Sequence, residues 1–368
     1  MLFSSLVPEY IENLVPYQAG KPIREVKQEF GLERVVKLAS NENPLGPSPK
    51  ALAAAREALQ DVSRYPDAAA REIRQVLAER YRLSTDNVIV GNGSEGIMAC
   101  IVRAFLHGDD EVITARGTFM GFTVLCRTRG IEPIMVPLRD YVFDLDAMAD
   151  RITPRTKLVY LCNPNNPTGT IFTRNDFDRF MSRVPERVLV ILDEAYYEFA
   201  RHRMDFPDSM DYRHDNVITL RTFSKAYGLA GFRIGYGFGH DRLIRNLWKV
   251  KLPFEPGVLG QRAGMAALDD VDFLHRTVQI TRQGLEFYYR EFQRMGLPFV
   301  PSLANFVVVQ LPSAEAAQRV FQEMLKRGVI IRPLNQYSMP DCVRITIGLP
   351  EENELCIRAL EESLRLAT

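Results

Sequence analysis

Residues 217–233 read VITLRTFSKAYGLAGFR. The first four residues are apolar or β-branched, which predicts a strand buried in a sheet. Lys225 follows this strand and precedes an apolar, glycine-rich segment. A lone lysine is usually solvated, but one in such surroundings suits a depressed pKa and use as a nucleophile. Thr222, Ser224 and Arg233 could clasp a phosphate. We therefore expect an amine nucleophile and a phosphate site at the end of one strand.

Short runs rich in valine and isoleucine precede this stretch, and most are continuous in apolar residues rather than alternating. Such runs suit strands buried on both faces of a parallel sheet. Segments with helical spacing, such as 96–107 and 174–184, lie between them. This alternation predicts an α/β domain with a mostly parallel sheet. The expected strands are Asn87–Val90, Glu111–Thr114, Ile134–Val136, Leu158–Cys162, Val188–Leu192 and Val217–Leu220.

The pattern changes towards the C-terminus, where a long amphipathic helix is expected at 273–295 and short strands and helices follow in another order. We predict an N-terminal arm at 1–45 that joins the small domain, a large domain at 46–270 that carries the phosphate site, and a small α+β domain at 271–368. Prolines favour an extended conformation for the arm. They stand at Pro8, Pro16, Pro22 and Pro44.

Composition excludes several classes of protein. The 368 residues contain 46 basic and 46 acidic side chains, so the net charge is zero and non-specific binding to nucleic acid is not expected. No apolar run is long enough to span a membrane, and Glu9 and Glu12 interrupt any secretion signal. Five scattered cysteines without a C-x-x-C pair, and five dispersed histidines, give no reason to expect disulfides or a metal site. These features favour a cytoplasmic protein.

The segment GNGSEG at 91–96 follows an expected strand and opens an expected helix. It matches the G-x-G-x-x-G pattern of dinucleotide sites. Arg116 follows the next strand, where it would suit a 2′-phosphate, so an NADP-dependent oxidoreductase is one hypothesis. A glycine-rich turn before a helix also presents N–H groups and a positive dipole end to any phosphate. A general phosphate site and a merely tight turn therefore both stay open for this motif.

Two more polar segments follow expected strands. NPNNPTG at 163–169 is dense in amide side chains and stands where open α/β sheets bind ligands, although asparagine, proline and glycine are also ordinary turn residues. DEAY at 193–196 places the Asp193 carboxylate after five apolar residues. A carboxylate so placed is costly to bury unless it has a cationic partner. The alternative is an exposed loop aspartate.

Together these segments supply an amine, a buried acid, amide donors and a phosphate cradle at strand ends. This set fits pyridoxal phosphate, because its aldehyde needs a lysine for a Schiff base and its ring nitrogen needs a carboxylate to stay protonated. We therefore predict pyridoxal 5′-phosphate as the cofactor. The NADP hypothesis would leave Lys225, Asp193 and Asn166 without a role.

The same motifs resemble a known family. SKAYGLAGFR at 224–233, DEAY and NNPTG look like the signature of fold-type I pyridoxal-phosphate aminotransferases of classes I and II. SNENP at 40–44, RYPD at 64–67 and LVPY at 14–17 narrow the resemblance to the histidinol-phosphate aminotransferase family. It extends from about residue 7 to the end of the chain. It implies a large pyridoxal-phosphate-binding domain with a mostly parallel seven-stranded sheet and a smaller α+β domain.

The resemblance also assigns catalytic roles. Lys225 would form the Schiff base with the cofactor and later move the substrate proton. Asp193 would pair with the ring nitrogen, and Asn166 and Tyr196 would hydrogen-bond to the 3-oxygen of the ring. Phe119 would stack on the ring face.

The same resemblance assigns further residues to the binding of the cofactor phosphate and of the anionic group of the substrate. Tyr65 would reach the cofactor phosphate of the other subunit, which makes the protein a homodimer with active sites at its interface. Arg344 would meet the anionic group of the substrate, and Arg332 and Tyr17 would line the same pocket. The phosphate of the cofactor would be held by Ser94, the backbone at Glu95, Thr222, Ser224 and Arg233.

The chain departs from the family pattern at four positions. Glu95 and Gly96 stand where the family usually has Asp and Glu, and Gly117 stands in place of a proline. Phe119 replaces a frequent tyrosine, so a ring hydroxyl is lost although stacking survives.

The resemblance implies a ping-pong aminotransferase of histidine biosynthesis. Its substrates would be L-histidinol phosphate and imidazole acetol phosphate, with glutamate and 2-oxoglutarate as the second pair. One arginine pocket can serve both the phosphate and the carboxylate. An aromatic-amino-acid aminotransferase of the same family is the alternative. A non-catalytic ligand sensor would need a DNA-binding segment, which 45 proline-rich N-terminal residues cannot hold.

Overall fold

The structure is a computed structural model that describes residues 6–15 and 20–367. No helix within these ranges is both long enough and apolar enough to cross a membrane. The strands are β1 (Val36–Lys37), β2 (Val88–Asn92), β3 (Glu111–Arg116), β4 (Ile134–Pro137), β5 (Thr156–Cys162), β6 (Leu189–Asp193), β7 (Val217–Thr222), β8 (Ile234–Phe238), β9 (Phe299–Val300), β10 (Phe306–Gln310), β11 (Val329–Ile330), β12 (Arg332–Pro333) and β13 (Cys342–Thr346).

Helices cover both faces of the large sheet and build most of the small domain. Short 3₁₀ turns at 59–61, 85–87, 230–232 and 335–337 link several of the elements. The helices are α1 (Glu9–Glu12), α2 (Ile23–Phe30), α3 (Pro49–Ala58), α4 (Arg71–Tyr81), α5 (Gly93–Phe105), α6 (Met120–Arg127), α7 (Leu145–Asp150), α8 (Arg174–Met181), α9 (Tyr197–Ala200), α10 (Ser209–Tyr212), α11 (Asp241–Val250), α12 (Val258–Leu268), α13 (Val271–Met295), α14 (Ala314–Lys326) and α15 (Pro350–Ala367).

The large domain is built on a sheet of seven strands in the order β2-β8-β7-β6-β5-β3-β4. Strand β8 runs antiparallel to both of its neighbours, and the other pairs are parallel. The predicted α/β fold with a mostly parallel seven-stranded sheet is therefore confirmed. All six strands predicted for this domain are present, with shifts of at most two residues at their ends.

Strand β8 was not predicted, because its sequence IGYGF contains two glycines and glycine weakens a strand signal. Its surroundings explain one of them. A Cβ atom on Gly235 would lie 2.3 Å from the backbone nitrogen of Ser94, at the start of α5. The glycine thus lets the strand pass directly beside the first turn of this helix.

Parallel strands bring the polar segments to one edge of the sheet. Along β5 and β6, Cys162 stands opposite Asp193, and Asp193 stands opposite Leu220 of β7. All residues of β6 and β7 are buried. The loops that follow these three strands therefore converge at the same carboxyl edge, where such sheets bind ligands.

The small domain combines a four-stranded antiparallel sheet, in the order β12-β13-β10-β9, with helices α13, α14 and α15. The N-terminal segment contributes to it through β1, whose Val36 pairs in parallel with Val329. This segment is not wholly extended as predicted. It also contains α2, in which Val26 packs against buried Leu325 and Ile330. Ile23, Val26 and Phe30 of this helix have the i, i+3, i+7 spacing of an amphipathic helix, but the prolines around them obscured this pattern in the sequence.

Candidate active site

A cavity of about 230 Å³ lies at the carboxyl edge of the large sheet. It brings together side chains that are far apart in the chain, from the starts of α5 and α6 and the ends of β5, β6 and β7. The predicted site residues that line it are Ser94, Glu95, Phe119, Asn166, Asp193, Tyr196, Thr222, Ser224, Lys225 and Arg233.

The Lys225 amine lies in this cavity. Its Nζ donates to the carbonyl oxygen of Ser40 at 3.3 Å and stands 5.9 Å from the centre of the Tyr196 ring. Burial lowers the pKa of Lys225 to about 8, and the nearby Arg344 and Arg233 guanidinium groups act in the same direction. A larger fraction of this amine is therefore neutral, and so nucleophilic, near neutral pH than for a solvated lysine.

The Asp193 carboxyl group is buried, with 3% of its surface exposed. Its Oδ2 accepts a hydrogen bond of 2.7 Å from the Tyr160 hydroxyl, and its Oδ1 accepts one of 3.2 Å from the Ala195 N–H. Burial raises the pKa of Asp193 to about 6, against the lowering effect of both donors and of the Lys225 charge. Most of this carboxylate is therefore charged at neutral pH, although it forms no direct ion pair with any of the described residues.

Sequence reasoning missed Tyr160. The residue is fully buried on β5, and a buried tyrosine hydroxyl usually finds a partner. A tyrosine between Val159 and Leu161 in a buried strand is therefore a signal that a polar partner stands nearby. The identity of that partner depends on the pairing of β5 with β6, which the sequence alone did not fix.

The Tyr196 hydroxyl is bound by Asn41, a residue of the SNENP segment for which no role was predicted. Asn41 donates from Nδ2 to this hydroxyl at 2.8 Å and has a left-handed backbone, with φ at 57°. Its own N–H donates to Thr346 Oγ1 at 3.0 Å, and its carbonyl accepts from Asn305 Nδ2 at 3.0 Å. Asn41 therefore joins β13 of the small domain to the cavity in the large domain.

A cradle for an anion lies where α5 begins. Gly93 has φ at 72°, and a Cβ atom there would lie 2.7 Å from the Arg233 guanidinium. The Gly93 N–H donates to the Arg233 carbonyl at 3.1 Å, and Thr222 Oγ1 donates to Ser224 Oγ at 3.1 Å. A guanidinium beside the positive end of a helix dipole is unfavourable unless an anion neutralises both. These residues therefore fit a phosphate group.

Two arginines face each other beside the cavity. Arg332 of β12 stands directly opposite Arg344 of β13, and like charges at such positions repel. The buried Arg344 donates to Asn166 Oδ1 and, at 2.8 Å, to the Ala39 carbonyl, but its Nε has no partner among the described residues. Arg332 donates to Gln336 Oε1 at 3.2 Å. This paired positive charge suits a small anion.

The predicted cofactor residue Tyr65 does not line the cavity of its own chain, and the predicted substrate residues Arg332 and Arg344 do not line it either. Tyr65 is 81% exposed, and its ring stacks on Phe254 at 4.3 Å between ring centres. Tyr17 lies outside the described residues.

A buried ionic cluster, also missed from the sequence, flanks the site. Arg221 is fully buried and donates to Glu194 at 2.8 Å and to Asp208 at 3.0 Å. Its guanidinium carbon lies 3.4 Å from the centre of the Tyr197 ring. Glu194 follows Asp193 and Arg221 precedes Thr222, so the cluster fixes the ends of two strands that carry site residues.

The dinucleotide hypothesis does not agree with the fold. In that fold the strand before the glycine-rich turn has parallel neighbours at the centre of the sheet. Here β2 is an edge strand, and its one neighbour is the antiparallel β8. The turn at 91–96 therefore serves a different kind of phosphate site.

Comparisons with known proteins agree with this geometry. The sequence profile of aminotransferase class I and II matches residues 33–360. Histidinol-phosphate aminotransferase 2 of Carboxydothermus hydrogenoformans is 43% identical over 98% of this chain and 100% of its own length. Histidinol-phosphate aminotransferase 2 of Ralstonia nicotianae is 44% identical over 98% of this chain and 97% of its own length.

Solved structures are similar over the whole chain. Histidinol-phosphate aminotransferase from Sinorhizobium meliloti, crystallised with pyridoxal-5′-phosphate, superposes with a TM-score of 0.90 at 30% identity, covering 99% of both chains. Aspartate aminotransferase from Thermus thermophilus, at 22% identity and a TM-score of 0.83, shares the fold over 98% of this chain and 99% of its own. This chain therefore belongs to the class I and II aminotransferases, within the histidinol-phosphate aminotransferase family.

Proposed function

We propose that this chain is a pyridoxal-phosphate-dependent aminotransferase that transfers an amino group between L-histidinol phosphate and 2-oxoglutarate, in histidine biosynthesis. The observation that carries the proposal is the single cavity that contains the Lys225 amine, the Asp193 carboxylate and the Arg233 cradle. The relatives with 43% and 44% identity, which bear the name of this activity, support the substrate.

The residues present fit the proposed cofactor. When bound, pyridoxal phosphate supplies an aldehyde that condenses with amines and a ring that withdraws electrons from the carbon beside the nitrogen. Its phosphate would be held by the start of α5, Thr222, Ser224 and Arg233. Asp193 would face the ring nitrogen, and Phe119 would cover a ring face. Asn166 and Tyr196 would donate to the ring 3-oxygen.

Lys225 would also move a proton. A general base acts best when its pKa is near the working pH. Burial has already lowered the pKa of this lysine to about 8, so its neutral amine can take the proton from the substrate carbon that bears the amino group, and its charged form can give a proton back.

Arg344 and Arg332 would bind the anionic end of each substrate. Arginine pairs with phosphate and carboxylate through two parallel hydrogen bonds, so one pocket can accept histidinol phosphate in one half-reaction and glutamate in the other. Tyr17 belongs to the same proposed pocket. We also propose that the protein is cytoplasmic, since its five unpaired cysteines agree with a reducing compartment. It would be a homodimer in which Tyr65 reaches the cofactor phosphate of the other subunit.

A substrate panel on purified protein tests the proposal. We expect an absorbance band near the visible edge that borohydride removes. We also expect a kcat/KM for histidinol phosphate at least about a hundredfold above that for phenylalanine, since phenylalanine offers no phosphate to neutralise the positive charge of the pocket. A preference for phenylalanine would show an aromatic-amino-acid aminotransferase instead. Absence of this absorbance band would overturn the assignment of pyridoxal phosphate as the cofactor.

A further inference from the structure

Tyr160 lies outside the cavity and is hydrogen-bonded to Asp193, the acid of the site. The residue lies in the middle of β5, next to β6, and is fully buried. Its ring stacks on Phe122, with 4.2 Å between ring centres and 9° between ring planes. The packing therefore leaves little freedom for the direction of its hydroxyl, which donates to Asp193 Oδ2 at 2.7 Å.

The hydroxyl and the backbone together occupy both oxygens of Asp193. Oδ2 accepts from Tyr160, and Oδ1 accepts from the Ala195 N–H at 3.2 Å. A buried carboxylate without a direct cationic partner favours its neutral form, and hydrogen bonds donated to the anion oppose this tendency. The Tyr160 hydrogen bond is the largest of these opposing effects on the pKa of Asp193.

We propose that Tyr160 is a positioning residue that keeps Asp193 anionic and fixes the direction in which its carboxylate faces the cofactor ring. The inference rests on the proposed function, because it assumes that a pyridine nitrogen lies opposite Asp193. A more basic Asp193 would take the proton from that nitrogen, and a neutral ring withdraws electrons less strongly. The hydrogen bond from the Tyr160 hydroxyl to Asp193 therefore keeps the proton on the ring nitrogen rather than on the carboxylate.

Two substitutions at one position are expected to act in opposite directions. Tyr160→Phe keeps the stacked ring and removes the donor. Replacement of Tyr160 by 3-fluorotyrosine keeps the shape and makes the hydroxyl more acidic, so it donates more strongly. Tyr288→Phe is the matched control, since Tyr288 is another fully buried tyrosine but belongs to the core of the small domain.

The first measurement is the titration of Asp193 in the full chain without cofactor, followed by the infrared band of its protonated carboxyl group and assigned with Asp193→Asn. We expect Tyr160→Phe to raise the midpoint by about one pH unit, the effect of a hydrogen bond to a charged group. The fluorotyrosine protein should have a lower midpoint than wild type, and Tyr288→Phe should be unchanged. Equal midpoints in all four proteins would show that Tyr160 only packs.

The second measurement uses pyridoxal phosphate labelled with ¹⁵N in its ring. The ¹⁵N shift reports whether the ring nitrogen carries the proton. We expect a protonated nitrogen in wild type and in Tyr288→Phe, and a shift towards the neutral value in Tyr160→Phe. An identical shift in wild type and Tyr160→Phe would overturn the proposed role. If Tyr160→Phe does not fold, the fluorotyrosine protein still decides, because an unchanged or raised Asp193 midpoint would contradict the proposal.

The two measurements separate this inference from the proposed function. Failure of wild-type protein to bind pyridoxal phosphate would overturn the proposed function and, with it, the role of Tyr160 towards the ring. Normal binding with equal Asp193 midpoints would overturn the role of Tyr160 alone.

Discussion

Burial moves the two ionisable groups at the centre of the site in opposite directions. It lowers the pKa of Lys225 to about 8 and raises the pKa of Asp193 to about 6, because in each case the charged form loses solvation. Between these two values the acid is charged and the amine begins to lose its proton. The site thus has a charged acid and a partly neutral amine between about pH 7 and 8, a range in which a solvated lysine would be almost fully protonated.

This pair gives a prediction for pH dependence. The rate at which the protein without cofactor condenses with pyridoxal should rise with pH around a midpoint near 8, as Lys225 becomes neutral, and level off above about pH 9. Stopped-flow absorbance measures this rate. Lys225→Arg should abolish the fast phase. A rate that keeps rising up to about pH 10.5, the ordinary value for lysine, would contradict the lowered pKa.

At the scale of elements, the site depends on how closely the turn after β2 approaches Arg233. Gly93 has a positive φ, and the guanidinium occupies the space that its side chain would fill. Gly31, at the end of α2, has a similar φ of 65°, but a Cβ atom there would meet no atom of the described residues within 4 Å, apart from its chain neighbours. The two glycines therefore have the same backbone requirement and differ in their surroundings.

Gly93→Ala should weaken binding of pyridoxal phosphate about tenfold or more, because it displaces Arg233 from the phosphate cradle. Gly31→Ala should leave binding unchanged. Both variants should lose stability by about 1 kcal/mol from the strained backbone. Equilibrium dialysis and urea unfolding measure the two effects. Equal affinities in both variants would show that the position of Arg233 does not depend on Gly93.

At the scale of the whole molecule, the sequence predicts best which residues lie together because they follow strands of the parallel sheet. Lys225, Asp193 and Asn166 could be placed together because each follows a parallel strand, and the carboxyl ends of such strands meet at one edge. The contacts of Tyr160 and Asn41 could not be predicted. They join residues 33 and 155 positions apart and depend on strand pairing and on the packing of two domains.

Tyr65 can act only through a second subunit if the proposed dimer is correct, since it is 81% exposed and does not line the cavity of its own chain. We expect Tyr65→Ala and Lys225→Ala each to lose most activity. A mixed dimer of the two variants contains one intact site if Tyr65 serves the other subunit. Statistical mixing should therefore restore about a quarter of wild-type activity. Reconstitution after mild denaturation, followed by the aminotransferase assay, measures this recovery. A mixture no more active than the variants alone would show that Tyr65 does not act across the interface.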